Sequence, residues 1–314
     1  MKFKELKDIK IMYMGTPEIS AKVFEKLIDE GCNFVGLITN EDKEIGRKRL
    51  LTPAPTKEVA LRHNIPVYQP HRIRTEFEFL KNIEFDVLLT MAYGQIVPDE
   101  VLAMAKVGSI NLHGSLLPEY RGAAPIQQSL IDGRKKTGVT LMKMVSKMDA
   151  GTMYDKEIVL IEDNDNYSSL QDKISNAAFI VAKRSLLSYA NGEIIGEEQD
   201  ESLVTFANKI KPENEHLSLD FSCFDFINYV RGLSLTPGAY LFLQDKKLKV
   251  LKASLFSSEI SGKVGEIVID KKRLVIQLKD GQVSLDLVQL EGKKMMDGAS
   301  FVNGMHNLKG QLVN

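Results

Sequence analysis

Apolar residues in the first two-thirds of the chain fall into short runs that alternate with stretches of helical spacing. Residues 9–15 (Ile-Lys-Ile-Met-Tyr-Met-Gly) read as a strand that ends at glycine. Thr16-Pro17-Glu18 then offers an N-cap, a proline at the first helical position and an early acid. Ala21, Phe24, Leu27 and Ile28 line one face of the helix that follows, which stops at Gly31. Residues 34–39, 86–92 and 109–113 are further buried strands, and 137–145 and 153–161 have the same character. A long helix is expected over about 168–190, with Leu170, Ile174, Ala178, Val181 and Leu186 on its apolar face. Strands separated by helices imply an α/β, Rossmann-like, mostly parallel sheet with helices on both faces.

The pattern then changes. Residues 193–201 carry Glu193, Glu197, Glu198, Asp200 and Glu201 and no base, and read as a solvated connector. Beyond about 211 come one helix, 221–233, and a series of strand signals at 239–243, 247–255, 265–269, 273–278 and 282–290. Gly281, Gly292 and Gly304 punctuate them, which suggests a small β-barrel or sandwich. The expected organisation is a domain over 1–192, a linker over 193–211 and a smaller β-domain over 212–314.

Composition narrows the function classes. The chain has 314 residues, 44% hydrophobic and 26% charged, which fits an ordinary globular protein of about two domains. Lys+Arg number 41 and Asp+Glu 42, so any contact with nucleic acid is local rather than spread over the surface. The two cysteines, Cys32 and Cys223, read as buried apolar thiols. No ligand cluster suggests a metal. The charged start lacks the features of a signal peptide, and no run of about 18 apolar residues could span a membrane. A cytoplasmic protein, monomeric and without a membrane partner, is expected.

Two superficial motifs fail on their residues. The turn at Gly15-Thr16-Pro17-Glu18 lacks the second and third glycines that let a backbone approach a pyrophosphate. The Asp163-Asn164-Asp165-Asn166-Tyr167 stretch lacks the glycine and the glutamate of a calcium loop, and reads as a turn capped at Asn166 or Ser168.

The stretch from Asn111 to Gly122 is richer in chemistry. Strand alternation places Asn111 and His113 on one side and Leu112 on the other, at the end of the strand where active sites of open α/β sheets collect. An amide there can donate to a developing oxyanion, and an imidazole can move protons near neutral pH. Asp149, in a loop after the strand at 137–145, is positioned to fold back on His113, stabilise its charged form and orient it. Each of the three also has a plainer fate, as a loop cap or a turn residue.

Asn111-Leu112-His113-Gly114-Ser115-Leu116-Leu117-Pro118, Tyr120-Arg121-Gly122-Ala123-Ala124-Pro125-Ile126-Gln127, Thr137-Gly138-Val139-Thr140 and Met148-Asp149-Ala150-Gly151 together closely resemble the formyltransferases that use 10-formyltetrahydrofolate. Met14-Gly15-Thr16-Pro17 and Met91 to Pro98 match as well. The Arg-Gly-Ala-Ala-Pro-Ile-Gln continuation and the C-terminal domain favour the branch of that family that acts on methionyl-tRNA. The resemblance implies a catalytic domain followed by an OB-like β-barrel that binds tRNA. It gives Asn111, His113 and Asp149 as the catalytic trio, with no departure from the family pattern among them. It further gives Ser115, Leu116, Leu117 and Pro118 as lining the folate site, and Met91, Ala92, Tyr93, Gly94, Gln95 and Ile96 as holding the pterin, mostly through backbone groups.

The implied acceptor is the α-amino group of methionyl initiator tRNA, and the implied donor 10-formyltetrahydrofolate, with no metal. The segment between Asn40 and Lys57 is long for a βα connection, and the resemblance makes it a loop that reaches the acceptor stem, with Arg47, Lys48 and Arg49 on RNA. Bases bunched at Lys246, Lys247, Lys249 and Lys252, at Lys271, Lys272 and Arg273, and at Lys293 and Lys294 either touch RNA phosphates or protect strand edges. Rival readings are a formyltransferase for an amino-sugar nucleotide and a catalytically silent RNA- or folate-binding module.

Overall fold

The computed structural model describes residues 2–46, 49–305 and 307–314. It divides into two compact units, one of Met1–Pro125, Thr137–Leu160 and Gln171–Ala207, the other of Ile126–Lys136, Ile161–Leu170 and Asn208–Asn314.

The first unit is built on β1 (Lys10–Gly15), β2 (Asn33–Ile38), β3 (Lys43–Ile45), β4 (Leu50–Thr52), β5 (Val67–Tyr68), β6 (Val87–Met91), β7 (Gly108–His113), β8 (Lys136–Lys143) and β9 (Met153–Leu160). Among the described residues, seven of these form one sheet in the order β5-β2-β1-β6-β7-β8-β9. Pairing is parallel from β5 through β7, and β8 runs antiparallel to β7. The central strands are apolar on both faces, as a sheet covered by helices requires: all five residues of β6 are buried. Its helices include α1 (Glu18–Asp29), α2 (Pro55–Arg62) and α3 (Asp99–Leu102).

Two local expectations change. Pro17, not Thr16, is the N-cap of α1, because the Thr16 hydroxyl donates to the Tyr93 carbonyl (3.1 Å). The stretch between Asn40 and Lys57 is not an open loop: β3 and β4 pair as an antiparallel hairpin, Lys43 opposite Thr52 and Ile45 opposite Leu50. Gly15 is required by packing, since a Cβ there would lie 1.9 Å from the Ser20 hydroxyl oxygen and 2.7 Å from the Met91 carbonyl.

The segment expected as a free connector is, up to Ala207, part of this unit. Glu197 pairs with Met153, Phe206 pairs with Arg121, and Gln199 is buried. Its backbone and amide groups find partners here that solvent exposure would otherwise have supplied.

In the second unit, α4 (Pro125–Ile131) contributes Ile131, which sits directly on Gly232. The loop before α5 (Tyr167–Ala190) receives the Arg231 guanidinium on the Glu162 carbonyl (3.1 Å). Asn166 caps α5, accepting from the Ser169 amide (3.0 Å). After α6 (Cys223–Leu233) come β10 (Ala239–Leu243), β11 (Lys246–Ser257), β12 (Ile267–Asp270), β13 (Arg273–Leu278), β14 (Gly281–Leu290), β15 (Met296–Asp297) and α7 (Gly298–Gly304). The sheet order is β10-β11-β14-β13-β12, all antiparallel, which leaves β10 and β12 as edges. The last residues close that gap. Asn314 exchanges hydrogen bonds with Phe242, beside Leu243↔Val313, while Gln311 accepts from Ile267 and Val313 donates to Gly265. One tail thus satisfies both edges, the solution a barrel needs. Phe226, Leu241, Val250, Ile276, Val283 and Val288 are among the side chains that fill it.

Candidate active site

The site begins where β7 ends. Asn111 and His113 lie two residues apart and so share a face, while Leu112 is buried on the other. Neighbouring strands fix that edge: Thr90 and Met142 flank Asn111, and Thr140 stands opposite His113.

The chain after His113 is held by side-chain bonds to its own backbone. The Thr140 hydroxyl donates to the Ser115 carbonyl (2.7 Å) and accepts from the Leu117 amide (3.1 Å). Ser115 in turn donates to the Glu119 carbonyl (2.7 Å), and the Lys156 ammonium donates to the Leu117 carbonyl (2.8 Å). This fold-back delivers the Tyr120 carbonyl to His113 Nε2, 2.9 Å away. A carbonyl only accepts, so Nε2 carries a proton and Nδ1 is the nitrogen left to exchange one.

Nδ1 faces Asp149. Its Oδ2 lies 3.6 Å off, too long for a hydrogen bond but within ion-pair reach, and both side chains are shielded, 6% and 16% exposed. The same oxygen accepts the Gly122 backbone N–H at 2.8 Å. Asp149 adopts φ 50°, a left-handed conformation that brings its carboxylate back toward the strand end. Gly122 has φ 120°, and a Cβ there would stand 2.6 Å from the Ala207 carbonyl oxygen, so no larger residue fits.

An amide donor, an imidazole with one committed and one free nitrogen, and a shielded carboxylate form a set suited to acyl transfer. The amide and a protonated ring stabilise an oxyanion, and the free nitrogen and the carboxylate handle protons. Among the described residues, no three His, Cys, Asp or Glu side chains gather as a metal site. No helix among them is long and apolar enough to cross a membrane.

The other sequence candidates separate by exposure. Ser115 and Leu117 are buried, Leu117 in a cluster with Met142 and Met153, while Leu116 and Pro118 are half-buried. At the end of β6 and in the loop after it, Met91 and Tyr93 are buried, and burial pushes the Tyr93 phenol above its usual range. Ala92 and Gly94 are exposed with left-handed backbones, Gln95 is half-buried, and Ile96 is 74% exposed. Asn40 ties this loop down: its Nδ2 donates to the Tyr93 carbonyl (2.9 Å) and its Oδ1 accepts from Gln95 Nε2 (2.8 Å).

Arg47 and Lys48 lie outside the described residues. Arg49 is 80% exposed on the hairpin and pairs with Glu44 at 2.7 Å. Leu50 and Leu51 beside it are also exposed.

Sequence reasoning did not find the backbone groups that orient the trio, the Tyr120 carbonyl and the Gly122 amide. Nor did it find Gln199, whose Nε2 donates to the carbonyls of Asp149 and Gly151 (both 2.8 Å). Gly122 after Arg121 was the available signal. Gln199 sat unmarked in an acid-rich stretch.

Comparison with known proteins extends the likeness over both units. The formyl transferase family matches residues 7–184, and the formyl transferase C-terminal domain matches residues 209–306. Methionyl-tRNA formyltransferase of Staphylococcus aureus strain bovine RF122 is 39% identical over 303 residues, covering 95% of this chain and 97% of that one. Among solved structures, WlaRD, a sugar 3N-formyl transferase in the presence of dTDP and 5-N-formyl-THF, has a TM-score of 0.66 at 20% identity, over 91% of this chain and 99% of that one. The N-formyltransferase of Helicobacter canadensis, in complex with folinic acid and dTDP-3-aminofucose, has a TM-score of 0.67 at 18% identity, over 88% and 98%. At these identities the two structures speak for the fold.

Proposed function

The chain belongs to the formyl transferase family along both of its units, and from that premise we propose that it moves a formyl group from 10-formyltetrahydrofolate to the α-amino group of methionyl initiator tRNA. The observation that carries the chemistry is the placing of Asp149 Oδ2 between the Gly122 amide and the free nitrogen of His113. The choice of tRNA over a sugar rests on 39% identity across nearly the full length of the S. aureus tRNA enzyme, against 20% for the sugar enzyme WlaRD. Arg47, Lys48 and Arg49, which follow β3 in the sequence, and the lysine-bearing barrel are the bases assigned to RNA in this reading. Asn40, Gly94 and the backbone of 91–96 are disposed to take the pterin.

In this reading the α-amine attacks as its neutral form, and the new C–N bond leaves an oxyanion on the former formyl carbon. Asn111 donates to that oxygen, an effect typically worth about 3–4 kcal/mol per donor. His113, its Nε2–H tied to Tyr120, keeps Nδ1 free to give or take a proton, and Asp149 stands opposite as counter-charge. The bond to the folate nitrogen then breaks, and the proton lost by the attacking amine goes to that nitrogen, relayed by His113 and Asp149. Folate leaves as tetrahydrofolate.

The test is a formylation assay on the purified protein with three acceptors: charged initiator tRNA, charged elongator tRNA and an amino-sugar nucleotide. Turnover on initiator tRNA at least about a hundredfold above the other two is expected. Preference for the sugar nucleotide moves the assignment to that branch of the family, and no turnover on any acceptor refutes the catalytic reading.

A further inference from the structure

The run Tyr120-Arg121-Gly122 meets the catalytic pair twice directly and once through Gln199. The Tyr120 carbonyl takes His113 Nε2–H, the Gly122 amide holds Asp149 Oδ2, and the Arg121 side chain between them binds Gln199, which in turn holds the Asp149 main chain. Arg121 is 1% exposed. Its Nε donates to Gln199 Oε1 (2.9 Å) and its Nη2 to Glu201 Oε1 (2.9 Å). With its oxygen thus committed, Gln199 directs both amide protons at the main chain of the catalytic loop, one to the Asp149 carbonyl and one to the Gly151 carbonyl. Asp149 therefore has its carboxylate held in front and its backbone held behind.

Such a grip has a reason. A non-glycine residue at φ 50° sits in a sparsely populated region and persists where surrounding bonds over-determine it. Arg121 also keeps Nη1 buried without a hydrogen-bond partner among the described residues, an arrangement that costs stability rather than adding it. The run itself is anchored independently: the Tyr120 amide donates to the Thr205 hydroxyl (2.9 Å), the Arg121 amide to the Thr205 carbonyl (2.9 Å), and Arg121 accepts from the Ala207 amide (2.8 Å).

We propose that Gln199, oriented by Arg121, is a positioning residue for formyl transfer, acting on the reaction through Asp149. The proposal rests on the catalytic reading given above. Gln199 touches no reacting atom; it sets where the carboxylate stands relative to His113 Nδ1. Losing it lowers turnover and leaves folate binding intact, since a misplacement of the order of 1 Å at a proton-handling group slows the chemical step.

Gln199→Met keeps the volume and removes both donors and the acceptor. Gln199→Glu keeps the acceptor for Arg121, replaces the donors with an oxygen and adds a negative charge facing the two carbonyls. Both variants are expected to lower kcat at least about tenfold, with KM for the folate donor within about twofold and an altered pH profile of kcat. In an Asp149→Asn background the same change is expected to cost no more than about a further twofold, because the two act as one unit. Multiplying losses in the double variant, or a folded Gln199→Glu protein with the turnover and pH profile of the parent, overturn the proposal. A second readout needs no substrate. Hydrogen exchange of the Gly122 amide is expected to accelerate at least about tenfold in either variant, as the carboxylate leaves it. Unchanged exchange overturns the positioning role even if no acceptor is found. Absence of turnover in the parent protein counts against the catalytic reading alone.

Discussion

The backbone N–H of Gly122 donates to Oδ2 of Asp149 at 2.8 Å, and that oxygen is also the one 3.6 Å from His113 Nδ1. One carboxylate oxygen thus links the loop after β7 to the loop after β8, and its charge is what the ring nitrogen faces. Asp149→Asn preserves shape and a possible contact with Gly122 but removes the counter-charge. Turnover is expected to fall at least about a hundredfold, with the pH dependence of kcat changed, while the folate dissociation constant holds within about threefold. Steady-state kinetics across pH 5–9 with equilibrium folate binding check it, and an unaltered rate and profile remove Asp149 from the mechanism.

Gly122 tests the same link from the other side. Its φ of 120° and the 2.6 Å approach of the Ala207 carbonyl to a notional Cβ leave alanine nowhere to go without moving the chain. Gly122→Ala is expected to cost about 1–3 kcal/mol of stability and to lower kcat more than Ala123→Gly next door. Thermal denaturation and initial rates on both variants decide it; equal, small effects show that the loop adjusts freely.

Much of the frame was readable from periodicity. The strands at 239–243 and 273–278 have the expected bounds, because apolar runs there are cut cleanly by Gly238, Asp270 to Lys272 and Gly281. Asn111 and His113 were readable as neighbours for the same reason, a strand's two-residue repeat. The hairpin inside 43–52 was not, since three-residue strands of mixed polarity leave no period to see. Thr16 looked like a cap because nothing local reveals that its hydroxyl is taken by Tyr93, 77 residues on. Gln199 and Arg121 are 78 residues apart, and only the folded backbone joins them.

Protonation of Asp42 should loosen the hairpin base. Hydrogen bonds from Lys57 first and Gln69 second hold its carboxyl below the usual aspartate range, against a smaller upward push from burial. A lowered folded-state value means the stabilisation is complete above about pH 3.9, the unfolded value, and is lost as pH falls through the lower folded one. Wild-type amides of residues 43–45 and 50–52 are expected to stay protected from exchange at pH 5 and to lose protection only as pH falls below the ordinary aspartate range. Lys57→Met should expose them already at pH 7. Equal protection of the two proteins at pH 7 would falsify the clamp.

The three consecutive bases Arg47, Lys48 and Arg49 are expected to serve the acceptor rather than the donor. Replacing Arg47, Lys48 and Arg49 together by alanine removes three consecutive phosphate-seeking charges from the sequence while leaving Asn40 and its hold on the Tyr93 loop in place. KM for charged tRNA is expected to rise at least about tenfold with KM for folate nearly constant, and the salt dependence of tRNA binding to flatten by about two to three charges' worth. A parallel rise in both KM values places the effect elsewhere, on the shared frame.

Closure of the C-terminal barrel depends on very few residues, which makes it testable at one of them. Val313 is buried, its amide donates to the Gly265 carbonyl, and its neighbour Asn314 exchanges two bonds with Phe242 of β10. The side chain belongs to the same core as Leu243 and Ile267, so Val313→Asp forces a carboxylate into apolar surroundings with no partner for it. The expected cost is on the order of 3–5 kcal/mol, enough to release the tail and leave the edges of β10 and β12 unpaired. Exposed edges recruit other chains, so aggregation should accompany the loss. Val313→Thr, which keeps the branched shape, should retain the closure at a cost of roughly 1–2 kcal/mol. Denaturation midpoints and light scattering on the two variants distinguish them. If Val313→Asp unfolds at the wild-type midpoint and stays dispersed, the tail is not what seals the sheet.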